Sequence, residues 1–190
     1  MKIVLASHNK GKIREIKEIL KEHEIIGMNE AGFTGEIEET GTTFYDNALI
    51  KVKTVSDKLK LPVLADDSGL IVYSLNGEPG VYSARYAGEN ATDEKNNAKL
   101  LKNMSIFKDG DRDAEFRSVV VLLLPSGEVL SGEGTVKGRI LEKEKGTNGF
   151  GYDPLFYCFE LDKSFGEATE EEKNSVSHRY RAIMDLKDKI

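Results

Sequence analysis

The sequence predicts an α/β protein with a long mixed central sheet and flanking helices. Three observations support this class. Short apolar segments alternate with helical patterns in the first half, a hairpin signal follows at Pro125–Glu128, and polar, glycine-containing loops come directly after two apolar segments. The chain has 190 residues, enough for one domain, or for two lobes that share one sheet. We treat residues 1–190 as one domain.

In the first half, strands are predicted at Lys2 to Ala6 and at Glu24 to Met28. The helix between them, Gly11 to Lys21, has an apolar face formed by Ile13, Ile16, Ile19 and Leu20. Asn29 to Thr42 contains three glycines and is predicted to be a long loop. A helix then begins at Thr42 or Thr43, with Asp46 as a capping partner and an apolar stripe of Phe44, Ala48, Val52, Val55 and Leu59.

Strands at Val63 to Ala65 and Leu70 to Leu75 are predicted on either side of an acidic turn, Asp66-Asp67-Ser68-Gly69. Asn76 to Gly80 has turn chemistry. The pattern from Thr92 to Met104 predicts a helix whose inward side chains are Ala98, Leu101 and Met104.

In the second half, strands are predicted at Phe116 to Leu124 and Val129 to Leu141, joined by the hairpin turn. The run Val119–Leu124 does not alternate, which predicts burial on both faces. Gly146 to Pro154 is a glycine-rich loop, and a short strand follows at Leu155 to Phe159. Thr169-Glu170-Glu171-Glu172 is a capping box, and the last helix begins near Ser177.

The composition excludes several kinds of function and of site. The formal net charge of −6 gives no general attraction to nucleic acid or to an anionic membrane, so any basic function is a local pocket. The single cysteine, Cys158, excludes an internal disulfide and a cysteine-rich zinc site. With no signal peptide and no apolar run near 18 residues, we expect a soluble, cytoplasmic protein.

The Asp66-Asp67 pair is the strongest candidate for chemistry. Adjacent carboxylates after an apolar strand are typical of a hard-metal ligand set at the end of a sheet. Neighbouring side chains of a strand point to opposite faces, so one carboxylate is expected to face the site and the other to support the loop. The alternative is a plain surface turn.

A basic loop follows the first strand. It contains Lys10 and Lys12 at a helix N-terminus, where each positive charge opposes the helix dipole by roughly 0.3–1 kcal/mol. A bound anion would reverse that cost, and removal of Lys12 is then expected to leave the empty protein unchanged or slightly more stable. The loop is not a Walker A motif, because Ile13 stands where Ser or Thr is required. The alternative is a solvated pair of lysines.

Other loops carry weaker signals. The long loop offers three glutamates, Glu36, Glu38 and Glu39, as metal ligands or as solvated charges. The Gly149-Phe150-Gly151-Tyr152-Asp153 segment could stack an aromatic ring on a base, or fold its aromatics into the core. Near the last helix, side chains that could donate into a site are Lys173, His178 and Arg179.

Together these segments resemble the inosine-triphosphatase, or Ham1-like, family of purine nucleoside triphosphate pyrophosphatases, over nearly the whole chain. The motifs are Ser7-His8-Asn9-Lys10-Gly11-Lys12, Glu38-Glu39-Thr40-Gly41-Thr42-Thr43-Phe44, Ala65-Asp66-Asp67-Ser68-Gly69-Leu70, Gly80-Val81-Tyr82-Ser83-Ala84-Arg85-Tyr86, Gly149-Phe150-Gly151-Tyr152-Asp153-Pro154 and Ser177-His178-Arg179. The Glu-Glu-Thr-Gly and Asp-Asp-Ser-Gly motifs are most similar to those of bacterial-type members.

The resemblance implies two lobes around an active-site cleft, usually in a homodimer, and Mg²⁺-dependent hydrolysis of ITP, dITP, XTP and dXTP to the monophosphate and pyrophosphate. Asp67 would be the catalytic carboxylate and metal ligand, with Glu38 or Glu39 completing the metal site and Glu36 kept open. The triphosphate would be held by Ser7, His8, Asn9, Lys10, Gly11 and Lys12. Further substrate contacts would come from Ser68, Phe150, Gly151, Tyr152, Asp153, Lys173, His178 and Arg179.

The residue types also suit this chemistry on physical grounds. Phosphoryl transfer needs positioning and charge neutralisation, and Mg²⁺ takes one or two carboxylates plus phosphate oxygens. Asp67 could orient or deprotonate a water, while Lys12 and Lys51 stabilise the departing pyrophosphate. His178 and Arg179 could donate to the O6 acceptor of hypoxanthine or xanthine, which adenine lacks.

Two rival functions are considered. Maf-like nucleotide pyrophosphatases are related, but the His178-Arg179 pair and the Phe150 loop argue against them. A nucleotide sensor would need the phosphate loop without metal carboxylates, so Asp67 and the glutamates argue against it.

Overall fold

The computed structural model describes residues 1–190 and contains one seven-stranded mixed sheet with flanking helices. Its strands are β1 (Lys2–Leu5), β2 (Glu24–Gly27), β3 (Val63–Val72), β4 (Asp113–Leu123), β5 (Val129–Ile140), β6 (Phe156–Cys158) and β7 (Lys163–Ser164). Its helices are α1 (Lys10–Ile19), α2 (Phe44–Leu59), α3 (Asp93–Met104), α4 (Glu170–Val176) and α5 (His178–Lys187). Short 3-10 helices lie at Tyr73–Leu75, Gly80–Arg85, Asp109–Asp111 and Asp153–Leu155.

The strand order in the sheet is β2-β1-β3-β4-β5-β6-β7. Strand β1 pairs in parallel with both β2 and β3, whereas β6 pairs antiparallel with β5 and β7. The mixed sheet that the sequence predicts is therefore confirmed. No helix is both long and apolar enough to cross a membrane.

The chain divides into two compact units, and β3, β4 and β5 each contribute residues to both. Unit 1 comprises Met1–Asp67, Ser118–Gly134 and Arg179–Ile190. Its apolar core is built from β1, β2, α1, α5 and parts of β3 and β4. Buried members include Leu5, Ile16, Leu64, Val120 and Ile183.

Unit 2 comprises Ser68–Arg117 and Thr135–His178. Its core contains a cluster of three aromatic rings, in which Phe116 and Phe156 have ring centroids 4.6 Å apart and Phe156 and Phe165 have them 5.2 Å apart. Helix α3 covers this cluster with Leu100 and Met104. Such aromatic pairs supply large buried apolar area with defined geometry.

The predicted cap at Thr43 and the predicted capping box at Thr169 are confirmed. The Thr43 side chain accepts from Asp46 N at the start of α2, Thr92 caps α3, and Thr169 caps α4. These caps satisfy amide groups that have no acceptor inside the helix. The hairpin is also confirmed. The run Val119–Leu124, predicted to be buried on both faces, is buried from Val119 to Leu122, whereas Leu123 and Leu124 are half-buried.

Two predictions about elements are wrong. Asp66-Asp67-Ser68-Gly69 is not a turn between two strands, because β3 runs without interruption from Val63 to Val72. The strand has β1 and β4 as neighbours, so pairing on both sides overrides the local turn preference. In α3, Met104 is buried as predicted and Leu101 is half-buried against the core, but Ala98 is exposed and Leu100 is buried instead. The buried face of α3 is therefore rotated by about one residue from the predicted face.

Candidate active site

The first set of candidate residues lies in unit 1, where β1 ends beside the first residues of the parallel strand β3. Leu5 of β1 pairs with Leu64 of β3, and Ala6 N donates to Leu64 O at 2.9 Å. The segment that leaves β1 therefore lies beside Asp66, and α1 begins four residues after Ala6 at Lys10. This arrangement brings the basic loop to the acidic pair.

Asp66 is fully enclosed by donors. Its Oδ1 accepts from the Ser118 hydroxyl at 2.5 Å, and its Oδ2 pairs with Lys12 Nζ at 2.8 Å and with Arg179 Nη2 at 3.4 Å. Burial opposes the charged form, but Arg179 and Lys12 outweigh it and hold the pKa of Asp66 well below its usual range. Asp66 is therefore a carboxylate that anchors the site.

Asp67 has a different environment. Its Oδ1 accepts from Lys51 Nζ at 3.0 Å, whereas its Oδ2 is buried and has no hydrogen-bond partner. Burial raises the pKa of Asp67, and Lys51 and Lys12 do not fully offset that effect. An unpartnered buried carboxylate oxygen is costly and is common where a cation or a reactant binds. Asp67 is the member of the pair that offers an oxygen to a ligand.

Lys51 contacts both aspartates and Glu39. Its ammonium group contacts Asp66 O at 3.1 Å, Asp67 Oδ1 at 3.0 Å and Glu39 Oε1 at 3.2 Å. Burial lowers the pKa of Lys51, but the charges of Asp67 and Glu39 outweigh it and raise the pKa. Because an ammonium has three donors, protein oxygens occupy all of them. In this structure Lys51 is the countercharge of Asp67 and Glu39, and its stabilisation of pyrophosphate stays a prediction.

The three glutamates of the long loop have different environments. Glu39 is half-buried against Lys51, while Glu36 and Glu38 are exposed. Only Glu39 is thereby brought into the electrostatic environment of Asp67.

Ser7 and Asn9 shape the basic loop from within. Ser7 Oγ accepts from Asn9 N, and Asn9 Oδ1 accepts from Lys12 N, each at 3.1 Å. Asn9 is thus the N-cap of α1. The amides of Lys10 and Gly11 precede the capped one and have no acceptor inside the helix. They are available to an anion.

The donor chemistry of this set fits Mg²⁺. Asp67 and Glu39 supply oxygen ligands, and Asp67 Oδ2 has no protein partner. No group of three or more His, Cys, Asp or Glu residues could hold a metal. The protein would therefore contribute two carboxylates, and water and phosphate oxygens would fill the remaining positions, as Mg²⁺ prefers.

The second set of candidates lies in unit 2 around a buried ion pair. Lys173 Nζ and Asp153 Oδ2 are 2.6 Å apart, and Phe150 N donates to the same oxygen at 3.0 Å. Lys173 Nζ also lies 4.6 Å from the centroid of the half-exposed Phe150 ring. Gly149 has φ +73° and no room for a side chain beside Asp153, so glycine is required there.

Two neighbours of Phe150 support the loop. Gly151 N donates to Asp93 Oδ2 at 2.9 Å, and Gly151 O accepts from Asn97 Nδ2 at 3.0 Å. Tyr152 is buried and donates its hydroxyl to Ser83 O at 2.6 Å. Of the predicted stacking residues, Phe150 has a half-exposed ring, whereas Tyr152 belongs to the core.

His178 and Arg179 were expected to act as a pair, but their side chains have separate environments. The His178 ring stacks on Phe116 in unit 2, with centroids 4.8 Å apart and an interplanar angle of 14°. The Arg179 guanidinium is 1% exposed and pairs with Glu15 and Asp66 in unit 1. Base recognition by Arg179 stays a prediction, and it would require breaking two ion pairs.

Three residues of these networks were not found from the sequence: Glu15, Ser118 and Asn47. Glu15 and Arg179 are 164 positions apart in the chain, and Ser118 and Asp66 are 52 apart. Only a charged residue on the otherwise apolar side of a helical pattern could have signalled Glu15. Nothing local distinguishes Ser118 within its strand.

The chain is similar to known proteins over nearly its whole length. The model of the Ham1 family matches residues 3–189. The chain belongs to the Ham1 family. It is 50% identical to the dITP/XTP pyrophosphatase of Thermoanaerobacter pseudethanolicus over 192 residues, covering 100% of this chain and 96% of that protein. It is 48% identical to the dITP/XTP pyrophosphatase of Clostridium perfringens over 197 residues, covering 100% of this chain and 97% of that protein.

Solved structures of Ham1 proteins also match the fold. The Staphylococcus aureus Ham1 protein superposes with a TM-score of 0.88 at 45% identity, covering 99% of this chain and 97% of that one. A HAM1 protein from Coxiella burnetii gives a TM-score of 0.88 at 41% identity, with coverage of 99% and 97%. The predicted family and fold class are thus confirmed. The Mg²⁺ dependence, the homodimer and the cytoplasmic location stay predictions.

Proposed function

We propose that this Ham1-family chain hydrolyses non-canonical purine nucleoside triphosphates, dITP and XTP among them, to the monophosphate and pyrophosphate with Mg²⁺. The observation that carries the proposal is the buried, unpartnered Oδ2 of Asp67 beside Lys51 and Glu39. The activity named for the two relatives at 48% and 50% identity supports the substrate class.

Asp67 and Glu39 would hold Mg²⁺, which when bound neutralises charge on phosphate oxygens. A carboxylate oxygen has two lone pairs, so Asp67 Oδ2 has capacity for more than one contact. We assign Asp67 the additional task of orienting the attacking water and accepting its proton. Lys51 keeps Asp67 and Glu39 together by compensating their charge.

The basic loop binds the phosphate chain. The first amides of α1 and the Nζ of Lys12 are the donors, and Asp66 fixes that Nζ at 2.8 Å. Lys12 is one-sixth exposed and has a single carboxylate partner, so it retains donors for phosphate. Departing pyrophosphate is stabilised by these donors, because phosphoryl transfer depends on positioned positive charge.

We assign the purine to the Phe150 set. The half-exposed ring of Phe150 provides a stacking face, and Lys173 and His178 provide donors for an O6 acceptor. Adenine presents an amino group at that position, which leaves two donors facing each other. Mismatched buried polar groups of this kind can discriminate by 10⁴-fold or more.

The test is a panel of ITP, dITP, XTP, ATP and GTP assayed for pyrophosphate release with Mg²⁺ and with EDTA. We expect Mg²⁺-dependent release, with kcat/KM for dITP and XTP at least 10²-fold above that for ATP. Release of inorganic phosphate instead of pyrophosphate would refute the assigned bond cleavage. Tight nucleotide binding without turnover would favour a sensor instead.

A further inference from the structure

Asn47 is a buried polar residue to which the proposed mechanism gives no role. It lies on α2, one helical turn before Lys51, and its side chain has no exposed surface. Its Oδ1 accepts from Gly41 N at 2.8 Å, whereas its Nδ2 has no hydrogen-bond partner. Since a backbone N–H needs an acceptor, the orientation of the carboxamide is determined by Gly41.

Gly41 lies directly against this side chain. A Cβ at position 41 would lie 2.6 Å from Asn47 Oδ1 and 2.9 Å from Asn47 N, so only glycine allows the approach. Two residues later, the Thr43 side chain accepts from Asp46 N at 3.1 Å. The end of the long loop is therefore attached to the first turn of α2 at two points.

The attachment matters because Glu39 comes from that loop. No helix or strand lies between Gly27 and Phe44, so regular structure does not position Glu39. Its carboxylate nevertheless lies 3.2 Å from Lys51 Nζ, which is 3.0 Å from Asp67 Oδ1. Asn47 and Lys51 are on the same face of α2, since they are four residues apart. One helix face thus holds both the loop backbone and the loop carboxylate.

We propose that Asn47 is a positioning residue for the metal site: through Gly41 it holds Glu39 beside Asp67, and so sets the affinity for the divalent cation. The inference rests on the proposed function for the identity of the cation. Supporting residues that orient metal ligands commonly change metal affinity by 10-fold to 100-fold when they are removed.

The experiment compares the parent with Asn47→Ala, Gly41→Ala and the double variant. The matched control is Val55→Ala, which truncates a fully buried side chain of the same helix and leaves the hydrogen bond between Gly41 and Asn47 in place. Binding of Mn²⁺ in the presence of imidodiphosphate is measured from the free Mn²⁺ signal in electron paramagnetic resonance. The Mg²⁺ concentration for half-maximal pyrophosphate release from dITP is measured alongside.

We expect the Kd for Mn²⁺ to rise at least fivefold in Asn47→Ala and in Gly41→Ala. The double variant should be within twofold of the worse single variant, because both changes break one contact. Val55→Ala should remain within twofold of the parent. Saturating Mg²⁺ should restore kcat to within threefold of the parent, because Asn47 acts through Glu39 and does not touch the substrate.

A Kd for Mn²⁺ within twofold of the parent in Asn47→Ala would overturn the inference. So would an equal loss in Val55→Ala, or a parent that binds no Mn²⁺. A parent that binds Mn²⁺ with the expected differences, but releases no pyrophosphate, would refute the proposed function and leave the role of Asn47 standing. Normal pyrophosphate release with unchanged Mn²⁺ affinity in the variants would refute Asn47 alone.

Discussion

Asp66 and Asp67 are neighbours on one strand, yet their surroundings have opposite effects. Asp66 is surrounded by Ser118, Lys12 and Arg179, and its pKa is held well below its usual range. Asp67 has Lys51 on one oxygen and no partner on the other, and burial raises its pKa. The strand alternation sends the two carboxylates to different faces. Asp66 is thus a carboxylate that stabilises the fold through its ion pairs, whereas Asp67 has a buried oxygen without a protein partner.

The largest effect is expected on stability, for Asp66→Asn. This change leaves Arg179 and Lys12 without a buried countercharge, which typically costs about 3–5 kcal/mol. The free energy of unfolding from urea titrations at pH 7, in EDTA, measures the loss. Asp109→Asn is the control, because Asp109 pairs with Arg139 at 3.6 Å on the surface and should change stability by at most about 0.5 kcal/mol.

The stability lost in Asp66→Asn is also expected to depend on pH. A depressed carboxyl pKa gives stability that is complete above the pKa of the unfolded chain, about 3.9, and is lost as pH falls through the folded value. The difference between the parent and Asp66→Asn should therefore be constant from pH 7 to 5 and shrink below about pH 4. A difference that stayed constant to pH 3 would contradict the role of the Asp66 charge.

The next effect is expected on turnover, for Asp67→Asn. It preserves shape and removes the charge, so kcat should fall by at least 10²-fold. The free energy of unfolding should not decrease, because a carboxylate with a raised pKa is disfavoured by the fold at neutral pH. Steady-state kinetics and urea titration measure the two quantities, and Asp57→Asn on exposed α2 surface is the control. Turnover within threefold of the parent would show that Asp67 is not catalytic.

Local patterns predicted most of the elements, because periodicity and caps are encoded within a few residues. The start of α2 is an example: Thr43 and Asp46 lie in the same turn and are bonded as expected. The prediction of an acidic turn at Asp66–Gly69 was wrong, because pairing with distant strands decides the structure there. Asp, Ser and Gly favour turns locally, but β1 and β4 pair with β3 on both sides.

In the candidate site, too, contacts between residues far apart in the sequence could not be predicted. Which carboxylate of the pair is structural depends on Arg179, which is 113 positions from Asp66 in the chain. Likewise, of the three similar glutamates, Glu39 is the one that pairs with Lys51. The expectation that Lys12 removal would leave the protein unchanged or more stable assumed an uncompensated charge. Its Nζ is 2.8 Å from Asp66, so we now expect that removal to destabilise the protein.

A smaller effect is expected for Arg179→Lys. This variant tests whether Arg179 stabilises the fold through its ion pair with Asp66 or recognises the base. Lysine cannot donate to Glu15 and Asp66 with the planar fork of arginine, so stability should fall by about 2 kcal/mol. The ratio of kcat/KM for ITP to that for ATP should remain within threefold of the parent. A tenfold fall in that ratio, with unchanged stability, would assign Arg179 to base recognition.

The smallest effect is expected for Ser118→Ala, which removes one hydrogen bond from Asp66 and leaves its two cations. A hydrogen bond to a charged group contributes about 1.5 kcal/mol at the low end of its range, and the remaining partners favour that end. Urea titration at pH 7 measures the loss. The matched control is Ser164→Ala. Ser164 is equally buried on a strand, its hydroxyl donates to the neutral backbone carbonyl of Lys145 at 2.7 Å, and it accepts from Glu167 N at 3.0 Å.

The two serine variants should respond differently to acid, because only one of them has a titrating acceptor. As pH falls through the depressed pKa of Asp66, the loss caused by Ser118→Ala should shrink, while that caused by Ser164→Ala should stay constant. A parallel response of the two variants would mean that the Ser118 hydroxyl contributes packing and no charge-dependent bond. In that case Lys12 and Arg179 alone would account for the low pKa of Asp66, and the contrast with Asp67 would be purely one of ion pairing.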